Sequence, residues 1–349
     1  MSVLRPYTGE IFYSWVTRMY SLHTKTKTPY LIEMFGMTSI GIYKVKSFQD
    51  DTLQQLLPLE EIIQYQSIVP LLQLCMKREE YKDMIKNINS EMFAHYKWPQ
   101  YAKVCPQCYQ EEIHQYGEPY LHVEHQLPEN LVCNKHGLDL VILEEGAVAG
   151  SHVSLVILLI KKIKETHIYN HSFYHEVSKM ISKIFNEGVL EGIYLEEAQA
   201  KYESKLRYKG YYMHTLLDRQ LLAKDIIEYF SHEVLDTVGA SLKQGIGWIK
   251  SITQKQQKKL KLICHLIIIQ FLFGSIEEFV KYDPLDYKPF GEGPWPCLNP
   301  FCRQYMQGSI EKVYIKNGRT GGRVIGTWEC KECGFRYSRQ GPDEKEKVE

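Results

Sequence analysis

Cys105 to His136 reads C-P-Q-C, then twenty-four residues, then C-N-K-H. Two close ligand pairs joined by a longer loop suit a tetrahedral ion, and Zn2+ fits thiolate and imidazole donors best. Cys105, Cys108, Cys133 and His136 are therefore the expected ligands of a first site. A second set follows near the C-terminus, C-L-N-P-F-C, then twenty-seven residues, then C-K-E-C. Its ligands are Cys297, Cys302, Cys330 and Cys333, although the C-x4-C half is wider than the usual turn. The competing reading, a scatter of unrelated buried cysteines, does not account for two sets of paired spacing. Four protein ligands leave no open position, so both sites read as structural and not catalytic. His122 and His125 lie inside the first loop, and either could displace His136. The paired spacing favours His136 and makes the other two core or supporting groups. His114 reads as a surface residue. Of the nine cysteines, Cys75 and Cys264 remain, and their apolar context makes them small core residues.

Other chemistry is not spelled out. The chain has no G-x-x-x-x-G-K-[ST], no dinucleotide fingerprint and no H-E-x-x-H. Glu124-His125 and His175-Glu176 lack the flanks of a protease or deaminase. A zinc-dependent nuclease is the enzyme class weighed against this. Its signature would be metal-dependent cutting of plasmid, which these residues do not lead one to expect. A non-enzymatic nucleic-acid or assembly factor is the better reading.

The formal net charge is zero, so distribution carries the information. Residues 105–150 hold one Lys and eight Asp or Glu, whereas residues 297–341 hold eight Lys or Arg and three Glu. The first module is acidic and suits protein docking, through Glu111, Glu112 and Glu118. The second is basic and suits phosphate. No Asp or Glu falls between Thr237 and Ile276, and Lys250 to Lys261 reads K-S-I-T-Q-K-Q-Q-K-K-L-K. Lys255, Lys258, Lys259, Arg319, Arg323 and Arg336 are the candidate DNA-phosphate contacts. The alternative for each is a solvated surface cation.

The elements that must position these groups are mainly helical. At 349 residues, one to three domains are expected. Pro6 to Gly9 is a turn, and Thr8 can cap a helix whose apolar stripe is Phe12, Trp15, Val16 and Met19. Arg18, beside that stripe, is either solvated or pins the helix to a carbonyl or carboxylate. Short helices are expected over 30–35, 50–57, 59–65 and 70–76, in a bundle with helix-turn-helix-like character. Further helices are expected over 153–163, 173–185, 195–206, 215–230, 231–238, 260–273 and 275–280. Between the second pair of ligand turns, 310–315 and 323–328 alternate as strands and make a zinc-ribbon-like unit. The expected division is a helical domain over 1–104, a first zinc module over 105–142, a helical domain over 151–280, a zinc-ribbon-like module over 290–341 and a disordered tail over 342–349. The fold class is thus mainly α, multi-domain, with two small zinc modules. No apolar run approaches a membrane span, the start has no apolar leader, and paired C-x2-C turns suit a reducing compartment. A cytoplasmic protein is expected.

Taken together, R-P-Y-T-G-E-I-F-Y-S-W-V-T-R, V-C-P-Q-C, H-V-E-H-Q-L and V-C-N-K-H-G-L-D-L resemble the TniQ family, most closely its TnsD branch of target-site selectors in Tn7-like transposons. The opening matches at Pro6, Glu10, Tyr13, Ser14 and Arg18. The metal signature matches at Cys105, Cys108, Cys133 and His136, with His125 at the family's interior histidine. This covers roughly residues 4–142. G-W-I-K-S-I, H-L-I-I-I-Q-F-L-F-G-S-I-E-E-F and W-P-C-L-N-P-F-C are similar to the TnsD continuation.

The resemblance implies a non-catalytic bacterial protein, nucleoid-associated when bound, that recognises double-stranded attachment-site DNA. It implies recruitment of an AAA+ regulator, TnsC, which activates separate transposase subunits. A shorter TniQ relative docks instead on a CRISPR effector complex, so an adaptor that does not bind DNA is the alternative. TnsD proteins are usually longer, which implies further helix-turn-helix units beyond Glu349.

Overall fold

A computed structural model describes residues 5–12, 14–15, 18, 58–86, 102–127, 129–142, 172–213, 216–243, 245–252, 260–284, 289–317 and 324–341. The expected helices at 30–35, 50–57 and 153–163, the lysines at 255, 258 and 259, the arginines at 319 and 323, and the 342–349 tail lie outside them. The described chain is mainly helical, with short antiparallel strand pairs beside each cysteine cluster. It divides into two compact units.

The first unit comprises Met1–Glu196, Lys261–Gln270 and Ser275–Val280. Helix α1 is Leu59–Tyr65, a 3-10 helix covers Val69–Cys75, and α2 is Arg78–Lys86. The sequence pattern places an α-helix at 70–76. Pro70 stands at its first turn without an N–H, and the segment winds as a tighter, almost wholly buried 3-10 helix. Strand β1, Lys103–Val104, pairs with β2, Val141–Ile142, so the two ends of the first cysteine module are tied together. Between them, α3 spans Pro106–Tyr116. Helix α4, Ser172–Glu187, buries Phe173, Val177, Met180, Ile181 and Ile184 along one face and packs on the 3-10 helix and on Glu124–Gln126. Its Ser178 hydroxyl donates to the Val132 carbonyl (2.8 Å), next to a metal ligand.

Helix α5 is Leu195–Tyr208. In the second unit, the chain continues into a hairpin of β3, Tyr212–Met213, and β4, Leu216–Leu217. Helix α6, Arg219–Phe230, therefore begins four residues later than its pattern suggests. Asp218 fixes that start by accepting from the Leu221 amide (3.0 Å). Ser231 does the same for α7, His232–Thr237, and a 3-10 helix covers Gly247–Ser251. Helices α8, Leu262–Phe273, and α9, Ile276–Lys281, follow, with most of their residues in the first unit.

The second cysteine module has two sheets. Strands β5, Trp295–Pro296, and β6, Gly308–Ile310, form a pair. Strands β7, Val313–Asn317, β8, Val324–Glu329, and β9, Arg336–Gly341, form a three-stranded meander. The sequence pattern yields two strands here, and the third, β9, is charged and follows the last ligand turn closely. Trp328 is fully buried, stacked on Tyr337 (5.1 Å between centroids) and edge-on to Phe290 (5.0 Å). Gly326 is required by this packing, since a Cβ there would lie 2.6 Å from both Phe290 and Trp328.

Helix α8 is apolar all round from Leu262 to Ile269, as a helix without a solvent face must be. His265 lies within it, and burial pushes its ring pKa down to about 3. An unfolded histidine titrates near 6.5, so below that pH the unfolded chain takes up a proton that the folded chain refuses. The resulting stability is complete above pH 6.5 and is lost as the pH falls toward 3. Substitution His265→Leu should remove about 2 kcal/mol of the stability difference between pH 7.5 and pH 5, read from urea unfolding. An unchanged pH dependence would contradict this account of the burial.

Candidate metal centres

The structure brings Cys105, Cys108, Cys133 and His136 together, with all ligand atoms within 4.8 Å of one another. His136 Nδ1 lies 3.4 Å from Cys105 Sγ, 3.3 Å from Cys108 Sγ and 3.7 Å from Cys133 Sγ. Cys108 and Cys133 are 3.7 Å apart, sulfur to sulfur, and neither is in a disulfide. A tetrahedron with Zn–S near 2.3 Å and Zn–N near 2.0–2.1 Å has edges of about 3.5–3.8 Å. The four donors fit such an ion.

Each half of the site has its own reason to form. Cys105 caps α3, with Pro106 at the first helical position, where its missing N–H costs nothing. Cys105 and Cys108 thus sit at a helix N-terminus, which favours thiolates. Hydrogen bonds from Cys108 and Cys133 pull the Cys105 thiol pKa down. The other half is a tight knuckle. The Gly137 amide donates to the Cys133 carbonyl (2.8 Å), and the Cys133 amide donates to the Leu138 carbonyl (2.7 Å). Gly137 has φ +63°, a conformation glycine adopts without strain. His136 Nε2 faces Glu111 Oε1 at 3.0 Å, which fixes the ring with Nδ1 toward the metal position. Glu111 also accepts from Lys135 (2.5 Å).

The second cluster repeats the knuckle. Gly334, at φ +68°, donates to the Cys330 carbonyl (2.8 Å), and the Cys330 amide donates to the Phe335 carbonyl (3.0 Å). Cys297 and Cys333 are 3.8 Å apart, and Cys302 and Cys330 3.9 Å, again tetrahedral edges. Backbone donation from Phe335 brings the exposed Cys333 thiol down to about 7, so it reaches the thiolate easily. The glycine following the last ligand is common to both sites and was the overlooked sequence signal.

The interior histidines are not in either four-ligand set. Cys108, Glu112 and His122 do lie close together. But Cys108 already belongs to the first site, and His122 Nε2 is bonded directly to Glu112 (2.5 Å). His125 is buried, and desolvation drives its pKa well below the usual range, so it is a neutral core group.

The opening segment docks on this module. The Ile11 amide donates to the Leu121 carbonyl (2.8 Å), and the Val123 amide donates to the Gly9 carbonyl (2.9 Å). Thr8 does not act as a cap. It lies in the turn before Glu10, and the Glu10 carboxylate itself accepts from the Tyr7 amide (2.9 Å). Glu10 also accepts from Ser14 Oγ (2.7 Å) and from Arg18 Nε and Nη2 (2.8 and 2.9 Å). Arg18 is 1% exposed and pairs additionally with Glu118. Its guanidinium lies 3.9 Å from the centre of the Tyr7 ring. Tyr7 stacks on Tyr116 and Tyr120, and Tyr120 on His122. Arg18 therefore pins the segment to carboxylates, one of the two alternatives its position allows. Glu112 is buried against His122 and the Tyr120 amide, whereas Glu111 and Glu118 stay partly exposed while pairing with Lys135 and Arg18. Lys103, also internal, donates to the carbonyls of Leu127 and Asn130 and shapes the turn that leads to Cys133.

Of the phosphate candidates only Arg336 is described, and it pairs with Glu329 (2.7 Å) on the surface. No helix among the described residues is long and apolar enough to cross a membrane.

Two cysteine and histidine clusters beside small sheets, each compatible with a structural metal site, mark a mainly helical protein. A family model for TniQ matches residues 2–140, and one for Tn7-like transposition protein D, TnsD, matches residues 178–349. The chain belongs to the TniQ/TnsD family, whose general role is target-site selection in Tn7-like transposition and whose members are not catalytic enzymes. Comparison with curated proteins finds no match.

Two outcomes test the geometry. Substitution Glu111→Ala should weaken metal binding at the first site about 10–100-fold in a chelator competition, with the fold retained. Equal retention of metal would contradict the role given to Glu111. Arg18→Met and Glu10→Gln should each destabilise the protein by about 3–5 kcal/mol, because each leaves a buried charge unpaired. The double variant should lose much less than the sum, and additive losses would show that the two groups act independently.

Proposed function

We propose that this protein selects a transposon target by binding attachment-site duplex DNA and presenting it to an AAA+ regulator of the TnsC kind. One Zn2+ in each cluster holds the scaffold, through Cys105, Cys108, Cys133 and His136 and through Cys297, Cys302, Cys330 and Cys333. The metal contributes folding energy that modules of this size do not obtain from buried area alone.

The observation that carries the DNA reading is the separation of charge. The first module is acidic in sequence and pairs Glu111, Glu112 and Glu118 with cations of its own unit. The second presents cations, and Arg303 and Lys312 are exposed with no ion pair among the described residues. The acid-free stretch from Val238 to Ser275 adds a second basic run, with Lys255, Lys258 and Lys259 at its centre. Arg319, Arg323 and Arg336 complete the phosphate set. Such contacts position the protein on the duplex, and a smaller number of base contacts select the site. Helix-turn-helix units within the helical regions are the natural source of base contacts. Recruitment of the AAA+ regulator follows from the family role and needs no chemistry from this chain.

The test is a footprint on sheared host DNA, comparing zinc-replete wild type with Cys105→Ser and with a Lys255→Glu/Lys258→Glu/Lys259→Glu variant. One protected locus is expected for wild type at roughly 0.15 M salt. Protection should be lost in the cysteine variant. In the lysine variant it should weaken, with the salt dependence of log K shallower by about 2–3. Folded, metal-loaded wild type that protects no DNA would overturn the reading in favour of an adaptor that takes its address from another complex.

A further inference from the structure

Phe301 is 97% exposed, yet its backbone is tightly held. It lies in the loop between the ligands Cys297 and Cys302. The Asn299 side chain accepts from the Phe301 amide (3.0 Å), and the Asn299 carbonyl accepts from the Cys302 amide (3.0 Å). Pro300 removes one more backbone freedom. The next turn is fixed too, because the Met306 amide donates to the Cys297 carbonyl (2.8 Å) with Met306 at φ +59°. Leu298, Tyr305 and Met306 are also exposed in the same hydrogen-bonded tip. Several exposed apolar side chains gathered on one ordered loop mark an interaction site.

The charge around it limits the partner. No Asp or Glu occurs from Pro294 to Ile310. Arg303, between Phe301 and Tyr305, is exposed and has no ion pair among the described residues. On the neighbouring strands and turns, Glu329 pairs with Arg336 (2.7 Å) and Glu311 with Lys331 (3.5 Å), which leaves the exposed Glu332 beside Cys333 against Arg303 and Lys312. An apolar pocket on a protein would accept the aromatic ring but would leave the acid-free loop and its Arg303 unexplained. Duplex DNA accounts for both, with base faces for the ring and phosphate for the guanidinium.

We propose that the knuckle tip of the second metal site enters a groove of duplex DNA, with Phe301 wedged against a base step and Arg303 on an adjacent phosphate. This rests on the DNA-binding reading above and assigns it a contact site.

The experiment is fluorescence anisotropy of the zinc-replete full chain on a fluorescein-labelled, mixed-sequence duplex over a series of salt concentrations. Wild type is compared with Phe301→Ala, Phe301→Trp and Arg303→Gln, with zinc content and unfolding midpoint measured for each. Because the Phe301 ring projects into water, these should stay as in wild type. Phe301→Ala should weaken binding about 10-fold or more without changing the salt slope, and Phe301→Trp should retain binding. Arg303→Gln should make the salt slope shallower by about 0.9. Wild type that binds, with Phe301→Ala binding equally well, overturns the wedge and leaves the DNA-binding reading standing. Wild type that does not bind any duplex removes both. Phe301→Ala that keeps its DNA affinity but no longer binds the AAA+ regulator overturns the wedge and makes the tip a protein contact.

Discussion

Four donors at the corners of one small tetrahedron hold the first unit in register. Cys105 begins α3, Cys108 lies one turn further, and Cys133 and His136 close a knuckle twenty-four residues away. The strand pair β1–β2 has only two residues in each strand, far too few to be stable alone. The cluster brings its ends together, and α4 then covers the inner side through Ser178 and its apolar stripe. Ligand cluster, helix N-terminus and knuckle glycine each solve a local problem. Together they create the surface on which the rest of the unit packs.

What packs there first is the opening segment. Burying Arg18 and Glu10 would be costly if either charge were left unsatisfied. Here Glu10 receives four hydrogen bonds, from Tyr7, Ser14 and two Arg18 nitrogens, and Arg18 has a second carboxylate in Glu118. A pair satisfied on every side selects one arrangement over its competitors, since any slip of the segment would strand a charge. Residues 5–12, with Ser14, Trp15 and Arg18, and the first cysteine module therefore act as one structural element, although about ninety residues separate them in the chain.

Much of the metal chemistry was legible in the sequence, because ligand spacing is a local property. Both four-residue sets and the helices near 59–65, 173–185 and 195–206 follow from patterns of a few residues. Partners set by tertiary packing were not legible. Glu111, Glu112 and Glu118 read as a free acidic face, but each finds its cation or N–H donor through folding. The hairpin at Tyr212 to Leu217 lay hidden in a helical reading because two-residue strands carry no periodicity. Arg303 and Phe301 were not singled out, since neither spacing nor composition says which loop residue will stand in solvent. Gly137 and Gly334 could have been found, because a glycine after the second ligand of a tight turn signals positive φ.

The second module shows the same design with a different outer surface. Its knuckle, like the first, is closed by a glycine, and its core is a packed aromatic cluster around Trp328. Its surplus charge is positive, whereas the first module is acidic. The central claim is that two closed metal sites, one with three sulfurs and a nitrogen and one with four sulfurs, scaffold these surfaces. Zinc K-edge absorption on the purified full chain, with zinc stoichiometry measured alongside, tests it most directly. The account predicts two zinc ions per chain and an averaged first shell dominated by sulfur near 2.3 Å, with a minor nitrogen contribution. A single zinc, or a shell dominated by oxygen and nitrogen, would contradict it.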